Sequence, residues 1–127
     1  MPSTAAATQE LLVGQKDGVL TLTLNRPDVL NALTMGMMKG LRDHLKKAAS
    51  DKNVKVVVLT ASGRAFCAGA DLGDLKKRQA ARSFSLGDEL RDHFNPLIAQ
   101  LRTLEKPVIG AVNGLAAGAG ASLILST

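Results

Sequence analysis

The sequence predicts an α/β domain, because segments typical of buried strands alternate along the chain with segments of helical spacing. Residues 54–60 and 108–112 are short runs rich in β-branched residues, and each gives way to small side chains where a helix can begin. Between these runs, apolar residues recur at three- and four-residue steps. A chain of 127 residues fits one such domain, and its core must be mainly aliphatic because it has three Phe and no Trp or Tyr.

A hairpin and a long helix are predicted before residue 50. Residues 13–25 have the pattern of two short strands that turn at residues 16–18, where Asp-Gly is flanked by alternating apolar residues. Thr34 is a candidate N-cap for a helix that continues to Ala49. The apolar residues of this helix fall on one face, at Met38, Leu41, Leu45 and Ala48.

The middle of the chain predicts a buried strand, a short helix and a loop. Residues 54–60 have the length and composition of a strand inside a sheet. Asp71 is expected to cap a short helix whose Leu72 and Leu75 face inward. Residues 76–85 are polar and charged without a clear period, and we interpret them as a mobile loop over a site, with plain solvated surface as the alternative.

A second long helix is predicted over residues 86–104. Pro96 interrupts it, so we expect a kink or a restart at that residue. The helical spacing is carried by Leu90, Phe94, Leu97 and Leu101.

Residues 108–125 contain no charged side chain and admit two interpretations. Glycines at four-residue spacing fit a membrane helix with a small-residue dimerisation face. However, the stretch contains Asn113 and Ser122, is rich in glycine, and follows Lys106-Pro107, which is typical of the turn before a strand. We therefore predict a strand, a Gly-rich turn and a buried helix.

Composition excludes several classes of function. The net charge of +5 suits either an anionic ligand or simple surface solubility. No basic stripe with interleaved aromatic residues is present, so nucleic acid is not a predicted partner. Cys67 is the only cysteine, which excludes an internal disulfide, and neither His44 nor His93 has spaced partners, so no metal site is predicted. Residues 1–9 lack the pattern of a secretory signal, and a cytoplasmic location is expected.

Two small-residue turns carry the strongest indication of chemistry. Residues 64–71 and residues 113–120 each follow a predicted strand and expose backbone N–H groups where a helix can begin. Two such donors aimed at one point would stabilise an enolate or another oxyanion. Taken alone, each turn is equally typical of close packing between a helix and a strand.

Three motifs in this order resemble the crotonase, or enoyl-CoA hydratase/isomerase, superfamily. They are LTLNRP at residues 22–27, FCAGADL at residues 66–72, and KPVIGAVNG at residues 106–114 followed by AAGAG at residues 116–120. The resemblance implies a stacked β-β-α spiral, of which this chain would be the truncated, N-terminal part. Residues 1–12 would then be a flexible N-terminus and residues 13–127 the first part of the core domain.

The resemblance also implies a site. The Ala68 and Ala119 N–H groups would form the oxyanion hole that binds the thioester carbonyl of an acyl-CoA substrate. A coenzyme A thioester would be the substrate, with no further cofactor and no metal, and the family's trimers or hexamers would imply a homo-oligomer. The other residues implied to contact the substrate are Val29, Leu30, Gly69, Ala70, Asp71 and Gly118.

Ser122 departs from the pattern of the hydratases that this chain resembles, which carry a glutamate at that position. A serine is a poor general base without a partner, so isomerase chemistry with one carboxylate is favoured. The resemblance would place that carboxylate beyond Thr127, and the 127-residue chain is expected to be inactive alone. Residues 95–97 look most like the branch that isomerises the ring-epoxide of phenylacetyl-CoA. Three alternatives remain: a hydratase or related lyase, a non-catalytic acyl-CoA-binding or oligomerisation fragment, and a small membrane-associated protein.

Overall fold

A computed structural model of the chain describes residues 9–81 and 83–127, and it has the alternating strand and helix order that the sequence predicts. Within these described residues, six strands form one four-stranded and one two-stranded sheet. In chain order the elements are β1 (Leu11–Lys16), β2 (Val19–Leu24), a 3₁₀ turn (Pro27–Val29), α1 (Met35–Ser50), β3 (Val56–Ala61), β4 (Ala65–Cys67), α2 (Leu72–Gln79), α3 (Leu86–Glu89), a π-helical segment (Leu90–Phe94), α4 (Asn95–Thr103), β5 (Val108–Gly110), β6 (Leu115–Ala116) and α5 (Ala119–Leu125).

The predicted hairpin is formed by β1 and β2, which pair antiparallel. Asp17 and Gly18 both have positive φ angles, 52° and 84°, which a two-residue hairpin turn requires and which Asp and Gly tolerate. The first strand begins at Leu11, so the predicted flexible segment of residues 1–12 is too long by at least two residues. Residues 1–8 lie outside the described residues.

The larger sheet has the strand order β1-β2-β3-β5 and is parallel from β2 onward. Along β2, buried residues alternate with partly buried ones, and the buried residues Leu20, Leu22 and Leu24 belong to the core. Helix α1 contributes to the same core, and Thr34 caps it by accepting a hydrogen bond from the Met37 N–H at 3.1 Å, as predicted. Its buried residues are Met37, Met38, Leu41, Leu45 and Ala48.

The predicted break near Pro96 is present as a π-helical segment just before it. Pro96 has no N–H, so the usual helical hydrogen bond to the Asp92 carbonyl cannot form. The Asp92 carbonyl instead accepts a hydrogen bond from Arg42 Nη1 of α1 at 3.3 Å, while the Asn95 N–H bonds five residues back to Leu90. The Asp92 carbonyl that Pro96 leaves without a helical partner therefore links the π-helical segment to α1.

Two predictions for the middle of the chain are wrong. Residues 76–79 belong to helix α2 and not to a loop, because Asp71 caps a helix that runs to Gln79. Leu72 does not face inward: it is 77% exposed at the first turn of that helix. Arg82, in the same predicted loop, lies outside the described residues.

The uncharged stretch forms the predicted strand and helix, β5 and α5, and between them a second short strand, β6, that the sequence did not predict. Strand β5 is shorter than expected and ends at Gly110, whereas β6 pairs in parallel with β4 to make the second sheet. An isolated parallel bridge between Leu33 and Ala70 lies in the same part of the chain. Within the described residues, no helix is both long and apolar enough to cross a membrane.

Candidate active site

The two small-residue turns pack directly against each other, backbone to backbone. The Ala117 N–H donates to the Cys67 carbonyl at 3.0 Å, which ties the second turn to the end of β4. A Cβ placed on Gly118 would lie 3.8 Å from the Gly69 Cα, and one placed on Gly69 would lie 4.0 Å from the Ala119 nitrogen. Both glycines have positive φ angles, 122° for Gly69 and 54° for Gly118, which a larger residue would adopt only under strain.

This packing leaves several backbone donors of the two turns without a partner in the described residues, and those of Ala70 and Ala119 are the ones whose residues also line a cavity. The hydrogen bonds from the Leu33 N–H to the Gly69 carbonyl and from the Asp71 N–H to the Leu33 carbonyl, both 2.8 Å, pass on either side of the Ala70 N–H. Ala119 is the first residue of α5, so its N–H has no partner inside the helix. Among the residues that the structure describes, neither the Ala70 nor the Ala119 N–H donates a backbone or side-chain hydrogen bond.

Ala68, the predicted first donor, is not free. Its N–H donates to the Leu30 carbonyl at 3.0 Å. Leu30 and Asn31 both have left-handed backbone conformations, with φ angles of 53° and 56°, and this reversal of the chain turns the Leu30 carbonyl toward Ala68. The Ala68 N–H is therefore not available as the predicted oxyanion donor, whereas the Ala70 N–H, two residues later, has no partner in the described residues.

Ala70 and Ala119 line a cavity of about 330 Å³. Ala68 is not among its lining residues. The polar side chains of the lining are Asn95 and Ser122, and none of the described lining residues is acidic. Most of the wall is aliphatic or aromatic and includes Leu33, Leu75, Leu86, Leu90, Phe94 and Leu123. A cavity of this kind suits an apolar group attached to an atom that accepts two hydrogen bonds.

The Asn31 side chain connects the turn at residues 26–31 to residues 62–65, just before and at the start of β4. Its side chain is fully buried and accepts a hydrogen bond from the Arg26 N–H at 2.7 Å. Its amide nitrogen donates to the carbonyls of Ser62 and Ala65 at 2.8 and 2.9 Å. The Asn113 amide donates to the same Ala65 carbonyl at 3.0 Å, so the two asparagines fix the start of β4 from both sides.

Asp71 has a structural role in addition to any contact with a substrate. One carboxylate oxygen caps α2 by accepting from the Asp74 N–H at 2.8 Å, and the other accepts from Arg26 Nη1 at 2.8 Å. Arg26 Nη1 also donates to the Ala32 carbonyl at 2.7 Å. The hydrogen bond from the Asp74 N–H, followed by that from Arg26, lowers the pKa of the Asp71 carboxyl below its ordinary value.

Replacing Asp71 with Ala is expected to lower the free energy of unfolding by about 1–2 kcal/mol at neutral pH, since the helix cap and the Arg26 contact are both lost. A carboxyl whose native pKa is lowered stabilises the fold above its unfolded pKa of about 3.9, and this stabilisation is lost as pH falls through the native value. Urea unfolding at several pH values should therefore show the two proteins converging in acid. Asp88→Ala, which removes an exposed ion pair with Arg91, is the control. A constant deficit at all pH values would contradict the assigned role.

Val29, Leu30 and Cys67, the other residues considered from the sequence, lie in different surroundings. Val29 is exposed and Leu30 half-buried at the left-handed turn, beside an open groove that Arg26 and Asp28 also line. Cys67 is fully buried, and burial raises the pKa of its thiol, so it packs and does not act as a nucleophile. In the described part of the chain no three His, Cys, Asp or Glu residues cluster as a metal site would require.

The sequence matches the enoyl-CoA hydratase/isomerase family over residues 14–127. The chain belongs to this family. Its fold is accordingly that of the crotonases, as predicted, and the paired turns lie where the three sequence motifs of the resemblance meet.

Curated relatives in the family include both isomerases and hydratases. The 1,2-epoxyphenylacetyl-CoA isomerase of Escherichia coli K12 is 46% identical over 108 residues, covering 85% of this chain and 41% of that protein. The 2,3-dehydroadipyl-CoA hydratase of the same organism is 41% identical over 116 residues, covering 91% of this chain and 43% of that protein. The chain thus spans about two-fifths of the length of these curated relatives.

Solved structures of enoyl-CoA hydratases share the fold. The enzyme of Mycobacterium avium subsp. paratuberculosis K-10 superposes with a TM-score of 0.78 at 35% identity, covering 98% of this chain and 46% of its own. That of Mycobacterium marinum gives a TM-score of 0.76 at 41% identity, covering 89% of this chain and 52% of its own. The described fold therefore corresponds to about half of each of these structures.

Proposed function

We propose that this chain forms the oxyanion hole and acyl-binding cavity of an acyl-CoA isomerase. The observation that carries the proposal is the pair of N–H groups, of Ala70 and Ala119, that have no partner in the described residues and line one apolar cavity. A thioester carbonyl bound there would receive two hydrogen bonds, and these strengthen as negative charge develops on its oxygen during enolate formation.

The small residues at the two turns fit this role. Because Gly69 and Gly118 have no Cβ, the two turns can pack closely, and this close packing supports the proposal that both N–H groups bind one oxygen. Removing one donor from an oxyanion hole typically slows a reaction about a hundred- to a thousand-fold. The neighbouring Gly69, Ala70 and Gly118 would be the backbone surface along which the thioester lies.

Isomerisation is favoured over hydration by Ser122. This side chain lines the cavity next to Ala119, and its hydroxyl donates weakly to the Gly118 carbonyl at 3.4 Å. Among the described residues it is not hydrogen-bonded to a base that would activate it. A ring-1,2-epoxyphenylacetyl-CoA substrate is supported by the identity to the isomerase and by the apolar, partly aromatic lining. The absence of a further cofactor and assembly into a homo-oligomer stay predictions.

Enoyl-CoA hydration is the second candidate, and it is supported by the hydratases among the relatives. Liquid chromatography coupled to mass spectrometry separates the two functions, because an isomer has the mass of its substrate and is recognised by its changed retention time. Since the chain spans about two-fifths of the length of its curated relatives, the test uses a protein of their full length that contains this chain. This protein is incubated with ring-1,2-epoxyphenylacetyl-CoA and, separately, with a short enoyl-CoA. We expect a product of unchanged mass and different retention time from the first substrate, and no addition of water to the second. A product heavier by one water would favour the hydratase, and tight binding without either product would favour a non-catalytic acyl-CoA-binding role.

A further inference from the structure

A network of three charged side chains lies behind the cavity and is not explained by the oxyanion hole. The Arg78 guanidinium of α2 makes two parallel hydrogen bonds to the Glu89 carboxylate of α3, of 3.0 Å from Nε and 2.9 Å from Nη2. Its third nitrogen, Nη1, is hydrogen-bonded to Asp74 one turn earlier in α2. The Glu89 side chain is 9% exposed, so its charge depends on Arg78 for compensation.

The same network reaches the start of α1. The Asp74 oxygen that bonds Arg78 also accepts a hydrogen bond from the Met35 N–H, the first residue of α1, at 3.0 Å. Three elements are therefore joined through one guanidinium and two carboxylates. Two-pronged bonds between an arginine and a carboxylate fix orientation as well as distance.

Two of the three elements joined by the network, α2 and α3, also contribute walls of the cavity. Leu75 follows Asp74 on α2, whereas Leu86 and Leu90 lie three residues before and one residue after Glu89, and all three leucines line the cavity. Leu86 and Leu90 are 57% and 44% exposed, which places them at the open side of the cavity.

Apolar packing does not hold these walls. Helix α2 has no buried residue at all, and the only buried residue of α3 is Glu89 itself. For two short helices without a hydrophobic anchor, hydrogen bonds and ion pairs are what fixes their relative position.

We propose that the Asp74–Arg78–Glu89 network is a positioning device that sets the width of the acyl cavity and so selects the acyl group. This rests on the proposed function, since it assumes that the cavity receives the acyl part of a coenzyme A thioester. Arg78 and its partners would act only through Leu75, Leu86 and Leu90, and none of the three charged residues lines the cavity.

The test compares Arg78→Met with Arg91→Met in the full chain. Met has nearly the helix propensity of Arg, so the first variant removes the charge and the two-pronged bond with little direct effect on the helix. Arg91 is the matched control, because its ion pair with Asp88 is exposed, at 70% and 54% for the two side chains. Dissociation constants are measured for coenzyme A, butyryl-CoA and phenylacetyl-CoA.

We expect Arg78→Met to bind coenzyme A as the unaltered chain does but to lose about tenfold in its preference for phenylacetyl-CoA over butyryl-CoA. Arg91→Met should retain that preference. Glu89→Gln, which keeps the shape and one hydrogen bond to Arg78, should lie between the two. Loss of stability with unchanged acyl preference would overturn the proposal, because a merely structural role predicts that result.

Amide hydrogen exchange separates failure of this proposal from failure of the proposed function. In Arg78→Met, the amides of α2 and α3 should exchange faster while those of β2 and β3 keep their protection. If the unaltered chain does not bind any acyl-CoA more tightly than coenzyme A, the acyl-binding function is wrong. Unchanged exchange in α2 and α3 would instead show that the network does not hold the walls, whatever the ligand result.

Discussion

Gly120→Ala is expected to lower the free energy of unfolding by about 3 kcal/mol, the upper end of the range for overpacking. A Cβ at this position would overlap the Cys67 carbonyl oxygen and lie 2.7 Å from the Cys67 Cβ. The overlapping atom is backbone, which cannot rotate away as a flexible side chain does. Helix propensity alone would favour alanine here by about 1 kcal/mol, so the expected sign is opposite to the local preference.

Thermal unfolding followed by circular dichroism measures this effect, and a loss of about 3 kcal/mol corresponds to a shift in Tm of roughly 10 °C. Gly14→Ala is the matched control, because a Cβ on Gly14 would meet nothing within 4 Å. If Gly120→Ala were as stable as Gly14→Ala, the close packing of α5 against the end of β4 would be incorrect, and with it the convergence of the two turns.

Ala119→Pro is expected to reduce isomerisation by about a hundred- to a thousand-fold while leaving the helix in place. Proline is well tolerated at the first position of a helix, where the N–H has no helical partner. The substitution therefore removes the proposed donor and puts a ring carbon where the N–H pointed. The measurement is made in the full-length protein that contains this chain: the isomeric product of ring-1,2-epoxyphenylacetyl-CoA is resolved from the substrate by liquid chromatography and identified by mass spectrometry.

Ala119→Gly is the control for this prediction, since it retains the N–H and is expected to retain most of the activity. Circular dichroism of both variants should show the same helix content. Unchanged turnover in a folded Ala119→Pro protein would exclude this N–H from the oxyanion hole.

Local signals explain what the sequence predicted correctly. The Asp17-Gly18 turn, the Thr34 cap, the Asp71 cap and the break before Pro96 each depend on the conformational preference or hydrogen-bonding capacity of one or two residues. Such preferences are properties of the residue and need no knowledge of distant contacts.

Nothing in the local sequence indicates whether the N–H group of Ala68 or that of Ala70 is available as a donor. Both are alanines in the same short turn, and what distinguishes them is that a distant carbonyl, of Leu30, occupies the Ala68 N–H. That contact depends on two successive left-handed residues. Asn31 tolerates this conformation and was a weak sign of it, but nothing in the sequence indicates the same for Leu30.

The second half of helix α2, residues 76–79, is predicted as a loop for a related reason. Sequence analysis finds amphipathic helices by their apolar stripe, and α2 has no buried residue to create one. Its position depends on the Asp71 cap and on Arg78, whose partner Glu89 is eleven residues away in another helix. A pairing at that distance follows from the fold and has no periodicity of its own.

The most direct test of the central claim is the infrared stretching frequency of a bound thioester carbonyl. Phenylacetyl-CoA carrying ¹³C at that carbonyl is bound to the chain, and the isotope-edited spectrum gives the band of this one bond. Two hydrogen bonds, from the Ala70 and Ala119 N–H groups, would polarise the carbonyl and lower its frequency relative to the free ligand in water. We expect this lower carbonyl frequency in the unaltered chain, and we expect Ala119→Pro to lose the shift. A bound carbonyl with the frequency found in water would contradict the oxyanion hole.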